Sequence, residues 1–306
     1  MAISNRRRSK RIIQNGGDCR QRETKVKTIR RIAIVMSLLT FGLLAGCSST
    51  HNAQQSQGIP KRIVSLTPNN TEILFALGAG SRVVGVTNAC DYPPEARNLP
   101  KVGDTNINIE KVAALKPDLI VAHKLLNNSA IKRLRELGFR VIATNPETIA
   151  QVECAIKEIG AQVGASTKAA HIAELIQRTF DETKKRYINS QPVNVLVVVQ
   201  ASPLWAAGPG TFVDEMLMTL NCKNAAGDAK PGFSMFPVET AIAKDPDVIV
   251  VTREEDKYFF TKSEIWKHTK AVKNGRVVVV NPDLLFRAGP RLALGLAELE
   301  HAIRLK

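Results

Sequence analysis

The sequence predicts an α/β protein of two lobes, each with a central parallel sheet, joined by a single long helix. Strand and helix patterns alternate along the chain, which is typical of parallel sheets covered by helices on both faces. This alternation fills residues 61–165, stops over residues 166–190 and begins again at residue 191. A stretch in the first half also resembles one in the second. The length of 306 residues is sufficient for two domains with hydrophobic cores of their own.

The segment between the lobes, residues 166–190, is predicted to be one helix. Its apolar and neutral residues recur at steps of three and four, the spacing of one helical face, at Ile172, Leu175, Ile176, Thr179, Phe180, Thr183 and Tyr187. Ser166 is the expected N-cap, and Pro192 follows the end of the pattern. A helix from Ser166 to Asn189 would be about 35 Å long, which makes it a stiff connection between the lobes.

The N-terminal lobe, residues 61–165, alternates four strands with four helices. Strands are predicted at residues 62–66, 83–86, 119–122 and 140–143, and helices at residues 72–77, 109–115, 131–137 and 148–163. Residues 67–70 are interpreted as a turn because they contain Pro68 followed by two asparagines.

The C-terminal lobe, residues 191–306, repeats this alternation. Val193 to Val199 is a continuous apolar run, the signature of a strand buried on both faces. Further strands are predicted at residues 248–251 and 277–280, and helices at residues 212–220 and 288–303. Residues 202–208, 232–237 and 282–287 are interpreted as loops.

Two segments indicate a duplicated unit. Glu110 precedes Pro117-Asp118 and an aliphatic strand in the first lobe, and Glu239 precedes Pro246-Asp247 and an aliphatic strand in the second, at the same spacing. Pro-Asp before an aliphatic run could arise by chance, but the matched glutamate favours duplication.

The strongly basic composition is local. The formal net charge is +15, but residues 1–46 contain 11 Lys and Arg against Asp18 and Glu23, which leaves +6 for residues 47–306. Such a mildly basic remainder does not indicate a nucleic-acid partner.

The N-terminal region has the organisation of an export signal. A basic head precedes thirteen largely apolar residues, 32–44, too few for a membrane-spanning helix, which needs about 20. Leu44-Ala45-Gly46-Cys47 resembles the bacterial lipobox, which implies that residues 1–46 are a lipoprotein signal peptide and that Cys47 is lipidated. The alternative is a buried cysteine after a core helix. Residues 47–60 are polar and are expected to form a flexible tether.

Several motifs of enzymes and metal sites are missing. The sequence has no phosphate-binding loop, no Gly-x-Ser-x-Gly elbow and no His-Glu-x-x-His motif. Its five histidines are scattered without ligand spacing, and no Cys-x-x-Cys pair occurs. Gly208-Pro209-Gly210 is interpreted as a tight turn. We therefore expect no enzyme activity, no resident cofactor and no metal site.

Aromatic and charged residues cluster instead where a ligand would be expected. Trp205, Phe233 and the group Asp283, Phe286 and Arg287 all lie on segments predicted to follow strands, and open α/β sheets present ligands beyond the carboxyl ends of their strands. Aromatic rings supply contact area, and arginine fixes polar groups. The alternative for each residue alone is lobe packing or a surface ion pair.

Several segments resemble the cobalamin and iron-chelate binding proteins of bacterial ABC importers. They are residues 62–68 (RIVSLTP), 90–96 (CDYPPEA), 115–118 (LKPD), 205–214, 239–250 and 283–291, in an order that extends the similarity over about residues 62–306. The resemblance is closest to the cobalamin-binding branch. It implies two Rossmann-like lobes with a helical backbone between them, and a small-molecule ligand held in the cleft.

The resemblance also implies roles for individual residues. Trp205, Phe233, Asp283 and Arg287 would line the cleft, with Phe286 beside them, and Glu110 and Glu239 would meet arginines on the membrane permease. For each glutamate the alternative is simply a favourable position at a helix start. Ala89 stands where the best-known cobalamin binder has an aromatic contact, and Thr105 or Asn106 near where it has a tryptophan.

Taken together, the sequence predicts a periplasmic or extracytoplasmic substrate-binding protein, anchored to a membrane only through lipid on Cys47. It would act as a monomer with an ABC permease and its ATPase, with a cobalamin or related corrinoid as cargo and no nucleic-acid partner. A ferric siderophore or haem is the alternative cargo. A secreted α/β hydrolase and a membrane-coupled sensor are the alternatives from other classes.

Overall fold

The structure, a computed structural model, describes residues 58–304. The predicted signal peptide, the lipidation site Cys47 and most of the predicted tether lie outside these residues. Within residues 58–304, no helix combines the length and the apolar character needed to cross a membrane.

The N-terminal lobe contains four parallel strands and four helices, close to the predicted positions. The strands are β1 (Ile63–Ser65), β2 (Val83–Val86), β3 (Leu119–His123) and β4 (Val141–Thr144), and the helices are α1 (Pro68–Ala76), α2 (Ile109–Ala114), α3 (Asn128–Glu136) and α4 (Ile149–Gln162). The sheet order is β2-β1-β3-β4. The turn predicted at residues 67–70 was wrong beyond Thr67, because Pro68 is the first residue of α1. Proline is well tolerated there, since the N–H at the first position of a helix has no partner within the helix.

The linker helix α5 runs from Ser166 to Tyr187, two residues shorter than predicted. Ala165 rather than Ser166 is its N-cap, and it makes no side-chain capping bond. The buried residues are Ala169, Ala173, Ile176, Phe180 and Thr183, whereas the predicted Leu175 is 43% exposed.

Small residues explain this shift of the buried face. A Cβ added at Gly160 of α4 would collide with Ala169, so the two helices approach closely at this point. Alanines of the linker therefore face α4, and the larger Leu175 points to the side.

The C-terminal lobe is a mixed sheet covered by helices. The strands are β5 (Val193–Gln200), β6 (Trp205–Ala207), β7 (Cys222–Asn224), β8 (Phe233–Met235), β9 (Val248–Val251) and β10 (Val277–Val279). The helices are α6 (Phe212–Thr219), α7 (Val238–Ala243), α8 (Glu254–Lys262), α9 (Lys270–Lys273), α10 (Pro282–Phe286) and α11 (Leu292–Arg304). Strands β10, β9, β5 and β7 are parallel.

Two short strands correct the sequence interpretation. Strands β6 and β8 were predicted as loops. Strand β6 pairs antiparallel with the carboxyl-terminal end of β5, and β8 pairs antiparallel with β6, which gives the order β5-β6-β8. The expected loop at residues 282–287 likewise contains the short helix α10. The predicted ligand residues of this lobe are thus held by backbone hydrogen bonds of regular elements.

The duplicated unit is present in both lobes with the same hydrogen bonds. Main-chain N–H groups of Arg62 and Asn194 donate to the carboxylates of Asp118 and Asp247, both at 2.9 Å. The residues before the two prolines, Lys116 and Asp245, have left-handed φ values of 47° and 46°. Such φ values are uncommon outside glycine, so their recurrence at matching positions supports a common origin of the two units.

One hydrophobic core extends through both lobes and the linker. It contains Ile63 and Ile73 of the N-terminal lobe, Ile176 and Phe180 of α5, and Val195 of β5, together with their buried neighbours. Two further cores cover the opposite face of each sheet. Because the linker contributes side chains to the shared core, it is a packed part of the fold rather than a free connection.

Candidate functional site

An exposed apolar face lies at the carboxyl end of β5. In the β6–β8 pair Trp205 lies opposite Met235 and Ala207 opposite Phe233, so Trp205, Phe233 and Met235 share one side of the ribbon. Their exposed fractions are 37%, 38% and 60%. The opposite side carries Ala206, which is buried in the lobe. These three residues are called the exposed apolar face.

Two more rings pack against Phe233. Phe286 of α10 meets Phe233 edge to face, with ring centroids 5.7 Å apart and an angle of 88°. Phe212, the first residue of α6, meets Phe233 at 6.0 Å and 67°. Such perpendicular contacts are favourable for aromatic pairs, and they hold Phe233 in one position while its outer surface stays exposed.

The glycine turn supports the same ribbon. The N–H of Gly208 donates to the carbonyl of Gly232 at 3.0 Å, and that of Gly232 donates to the carbonyl of Pro209 at 3.0 Å. A Cβ at Gly208 would lie 2.7 Å from the carbonyl oxygen of Lys230, so only glycine fits there. The turn interpreted from the sequence therefore positions the start of β8.

Arg287 joins the two lobes. Its Nη1 atom lies 2.7 Å from Asp91 Oδ1 and 3.1 Å from Glu72 Oε1, both in the N-terminal lobe, and its Nη2 lies 2.7 Å from Asp283 Oδ1. Arg291 also binds Glu72, with Nη2–Oε1 and Nε–Oε2 distances of 2.6 and 2.8 Å. These five residues are called the interlobe ion network.

Glu72 is the buried centre of this network. Its side chain is 2% exposed and sits on α1 of one lobe, while both guanidinium groups come from the other lobe. A buried carboxylate is strongly unfavourable without such partners. The lobes are therefore held at a spacing that satisfies this charge.

Asp91 lies on the outer side of the network, and Tyr92 packs beside it. The hydrogen bond from Arg287 is the main cause that lowers the pKa of Asp91 below its ordinary value, so this carboxyl is ionised at neutral pH. The guanidinium carbon of Arg291 lies 3.9 Å from the ring centroid of Tyr92, a cation–π contact.

A second pair of interlobe contacts joins the starts of two helices. The N–H of Phe212 donates to the carbonyl of Glu147 at 2.6 Å, and the N–H of Ile149 donates to Glu215 Oε2 at 2.6 Å. Each lobe thus supplies a hydrogen-bond acceptor for the first N–H group of a helix in the other lobe. These N–H groups have no partner within their own helices. Burial raises the pKa of Glu215.

His123 ends β3 near this contact. Its Nδ1 accepts the N–H groups of Leu125 and Leu126, each at 3.3 Å, which assigns the proton of the neutral ring to Nε2. Burial lowers the pKa of His123, against the opposing charge of Glu147. The ring is therefore neutral at physiological pH and presents a donor at Nε2.

The structure brings most predicted ligand residues together. Trp205 and Phe233 share the exposed apolar face, Phe286 contacts Phe233, and Asp283 and Arg287 follow on the same short helix and its end. Arg287 is engaged on three sides by carboxylates, which the sequence analysis did not anticipate.

Several site residues were missed from the sequence. The sequence places Asp91 in the CDYPPEA motif and Arg291 at the end of a similar segment, but it indicates no separate role for either residue. The sequence could have indicated that Glu72 is paired, because a charged residue beside Ile73 and Leu74 in an apolar helix requires a partner. Nothing in the sequence identifies that partner, which lies more than 200 residues away.

Glu110 and Glu239 occupy equivalent places in the two lobes. They are the second residues of α2 and α7 and both are exposed. Across residues 58–304, neither side chain takes part in an ion pair. Both carboxylates are therefore available to an outside partner.

Two surface hollows of about 520 Å³ each lie elsewhere. One is lined by residues of α8. The other lies between α4 and α5 and is lined mainly by charged side chains. Ligand pockets are mostly apolar with a few polar groups, and the exposed apolar face with the charged residues after Phe286 has this composition. In the part of the chain that the structure describes, no three His, Cys, Asp or Glu side chains gather as a metal site would require.

Replacing Glu72 tests the interlobe ion network. Glu72→Gln removes the charge that both arginines share, so we expect the free energy of unfolding to fall by about 3 kcal/mol. Urea unfolding followed by circular dichroism at pH 7 measures this change.

The matched control is Glu136→Gln. Glu136 pairs with Arg133 at 3.3 Å on the surface, with 48% of its side chain exposed, so its loss should change stability by less than about 1 kcal/mol. Equal effects of the two substitutions would contradict a special role for Glu72.

Comparisons with known proteins agree with this geometry. A Bacillus subtilis protein described as an uncharacterised ABC transporter substrate-binding lipoprotein, YvrC, is 38% identical over 252 residues, which cover 80% of each chain. A solved Staphylococcus epidermidis structure, described as a possible iron-binding, periplasmic solute-binding protein, is 31% identical with a TM-score of 0.70 over 80% of this chain and 98% of the other.

The periplasmic vitamin B12 binding protein of Vibrio cholerae, BtuF, is 27% identical with a TM-score of 0.68 over 81% of this chain and 98% of the other. These matches confirm the predicted architecture of two α/β lobes with a helical backbone. Residues 63–284 match the periplasmic binding protein family. Because this match spans well over half of the chain, the protein belongs to the periplasmic binding protein family, as its sequence motifs predicted.

Proposed function

We propose that the protein is the substrate-binding component of an ABC importer and captures cobalamin or a related corrinoid between its two lobes. It delivers the ligand to a membrane permease and its ATPase, acts as a monomer and catalyses no reaction. No resident cofactor is part of the proposal. The similarity to the Bacillus subtilis ABC transporter lipoprotein and to the Vibrio cholerae vitamin B12 binding protein supports this assignment.

The observation that carries the proposal is the exposed apolar face. Trp205, Phe233 and Met235 are large side chains that the fold leaves partly uncovered. Phe233 contacts Phe286, which directly precedes the interlobe residue Arg287. Isolated exposed apolar residues need no explanation, but a group backed by fixed aromatic contacts marks a binding surface. A corrin ring offers a broad apolar face to such a group.

The polar surroundings suit the edge of a corrinoid. Its side-chain amides donate and accept hydrogen bonds, and Asp91 and Asp283 present acceptors beside Phe286. His123 adds a neutral donor on the N-terminal lobe. These groups would orient the ligand, while the apolar contact supplies most of the affinity.

An iron chelate, either a ferric siderophore or haem, is the second candidate ligand. The similarity to the possible iron-binding protein of Staphylococcus epidermidis favours it. Haem is also a flat, bulky molecule that the exposed apolar face could contact. A titration with both ligand types separates the two candidates.

Tryptophan fluorescence provides this titration. Trp205 is 37% exposed whereas Trp266 is 1% exposed, so a bound chromophore should quench Trp205 first. We expect quenching by cyanocobalamin and cobinamide at lower concentrations than by haemin or ferrichrome. Trp205→Ala lacks this probe and is therefore followed by isothermal titration calorimetry, where corrinoid binding should be weakened by about tenfold or more because a central aromatic contact is lost.

The matched control for this titration is Tyr258→Ala. Tyr258 is an aromatic residue on α8 with 66% exposure, away from the exposed apolar face, and its removal should leave the dissociation constant unchanged. Tighter binding of haemin than of any corrinoid would replace the proposed ligand with an iron chelate. Unchanged affinity in Trp205→Ala would rule out the proposed site.

The docking of the permease is proposed to depend on Glu110 and Glu239. Their equivalent, exposed and unpaired positions in the two lobes would suit two arginines of a two-fold partner. Reversing both charges, Glu110→Arg with Glu239→Arg, should abolish ligand uptake by cells, while the affinity of the purified protein stays within about twofold.

A double reversal on the linker helix is the control. Glu174 and Glu182 are also exposed, and changing both to arginine alters net charge equally without touching the proposed docking surface. Normal uptake with the Glu110 and Glu239 variant would refute their role.

The lipid anchor at Cys47 belongs to the same proposal and gives an extracytoplasmic, membrane-attached location. The lipobox-like residues 44–47 support it, as does the lipoprotein name of the Bacillus subtilis relative. In fractionated cells, Cys47→Ser should move the protein from the membrane to the soluble fraction. Retention of this variant in the membrane would show that another feature anchors the chain.

A further inference from the structure

The interlobe ion network contains more carboxylates than guanidinium groups. Arg287 and Arg291 face Glu72, Asp91 and Asp283, which leaves one uncompensated negative charge within the network. The lowered pKa of Asp91 keeps its carboxylate ionised at neutral pH.

The exposed part of the network is acidic. The side chains of Asp91 and Asp283 are 45% and 33% exposed, whereas those of Arg287 and Glu72 are 15% and 2% exposed. Both Nη atoms of Arg287 already bind carboxylate oxygens. A ligand approaching this edge therefore meets aspartate oxygens before it can reach the guanidinium group.

The network also borders the proposed ligand site. Arg287 directly follows Phe286, whose ring contacts Phe233 of the exposed apolar face. Asp91 follows β2 in the N-terminal lobe and reaches Arg287 across the junction. A ligand resting on the exposed apolar face would bring its edge against these aspartates.

Two cations on the Asp91 loop are held by main-chain carbonyls. Arg97 donates to the main-chain carbonyl of Asp91 at 3.0 Å. Lys101 donates to the carbonyls of Cys90 and Ala96 at 3.2 and 3.1 Å. These bonds fix the positions of both cations but do not cancel their charges, which the exposed Glu95 of the same loop opposes in part.

We propose that Asp91 is a specificity-determining residue that, with Asp283, selects ligands presenting neutral hydrogen-bond donors at this edge and disfavours ligands presenting carboxylates. The inference rests on the proposed function only in taking the interlobe region as the ligand site. A ligand carboxylate would have to lie beside two aspartates or displace Asp91 from Arg287. Either event opposes binding, whereas an amide N–H can donate to the aspartates in place.

Ligand pairs that differ only in their carboxylate groups test this proposal. One pair is cyanocobalamin and its monocarboxylic acids, in which one propionamide at a time is replaced by a carboxylate. The other is haemin and its neutral dimethyl ester. Dissociation constants for both pairs are measured by fluorescence quenching with the wild type, Asp91→Asn and the control Asp181→Asn on the exposed side of α5.

For the wild type we expect at least one corrinoid acid to bind about tenfold more weakly than cyanocobalamin, and none to bind more tightly. In Asp91→Asn this ratio should fall below about threefold, because one of the two negative charges that oppose the ligand carboxylate is removed. Asp181→Asn should retain the wild-type ratio. Asp283→Asn is a second variant with the same expected direction, in case Asp91→Asn folds poorly.

The outcomes separate the inference from the proposed function. Equal binding of amide and acid forms by the wild type, or an unchanged ratio in a folded Asp91→Asn, overturns the inference while corrinoid binding stands. If no corrinoid binds but the haemin ester binds more tightly than haemin, the corrinoid proposal fails and the charge selection stands. Binding of neither pair contradicts both.

Discussion

The pairing of Glu72 with Arg287 and Arg291 is the constraint on which the arrangement of the site depends. A carboxylate buried in the N-terminal lobe has to be neutralised, and both of its partners come from the loop after α10 in the other lobe. This requirement places Asp283, Phe286 and Arg287 at the lobe junction. It also explains why Arg287 is not an open anion receptor but the centre of an acidic border.

The rest of the fold supports this junction from behind. The linker helix packs its alanines closely against α4 and contributes to a core that continues through both lobes. The contacts of Phe212 with Glu147 and of Ile149 with Glu215 join the lobes at a second place. The proposed ligand site between these lobes would therefore be formed mainly before the ligand arrives, so that little binding energy would be needed to order it.

The sequence contains enough local information to predict most helices and strands and the division into two lobes. Periodicity and apolar runs identify α4, α5 and β5, and the duplicated Pro-Asp segments identify equivalent units whose hydrogen bonds match in detail. Strands β6 and β8 were interpreted as loops because each has three residues and gains its structure from antiparallel pairing rather than from its own pattern. The buried face of the linker helix differs from the predicted one, because its close contact with α4 leaves room for alanines but not for larger apolar side chains.

For the site, sequence similarity indicated Trp205, Phe233, Asp283 and Arg287, and the structure brings these together with Phe286. It could not indicate that Glu72 and Asp91 occupy Arg287, because partners about 200 residues apart are joined only by the tertiary fold. The charge of the site is therefore a property of the folded molecule, whereas its aromatic character can be read from the sequence.

The central claim is that the lobes are held at a fixed spacing by the interlobe ion network with or without ligand. Electron–electron distance measurements between spin labels at Lys132→Cys and Lys262→Cys, one in each lobe, test it most directly. The mean distance should change by less than about 2 Å on addition of cyanocobalamin, and Glu72→Gln should broaden the distribution in the free protein. A large shift of the mean distance on binding, or an unaltered distribution in Glu72→Gln, would contradict this account.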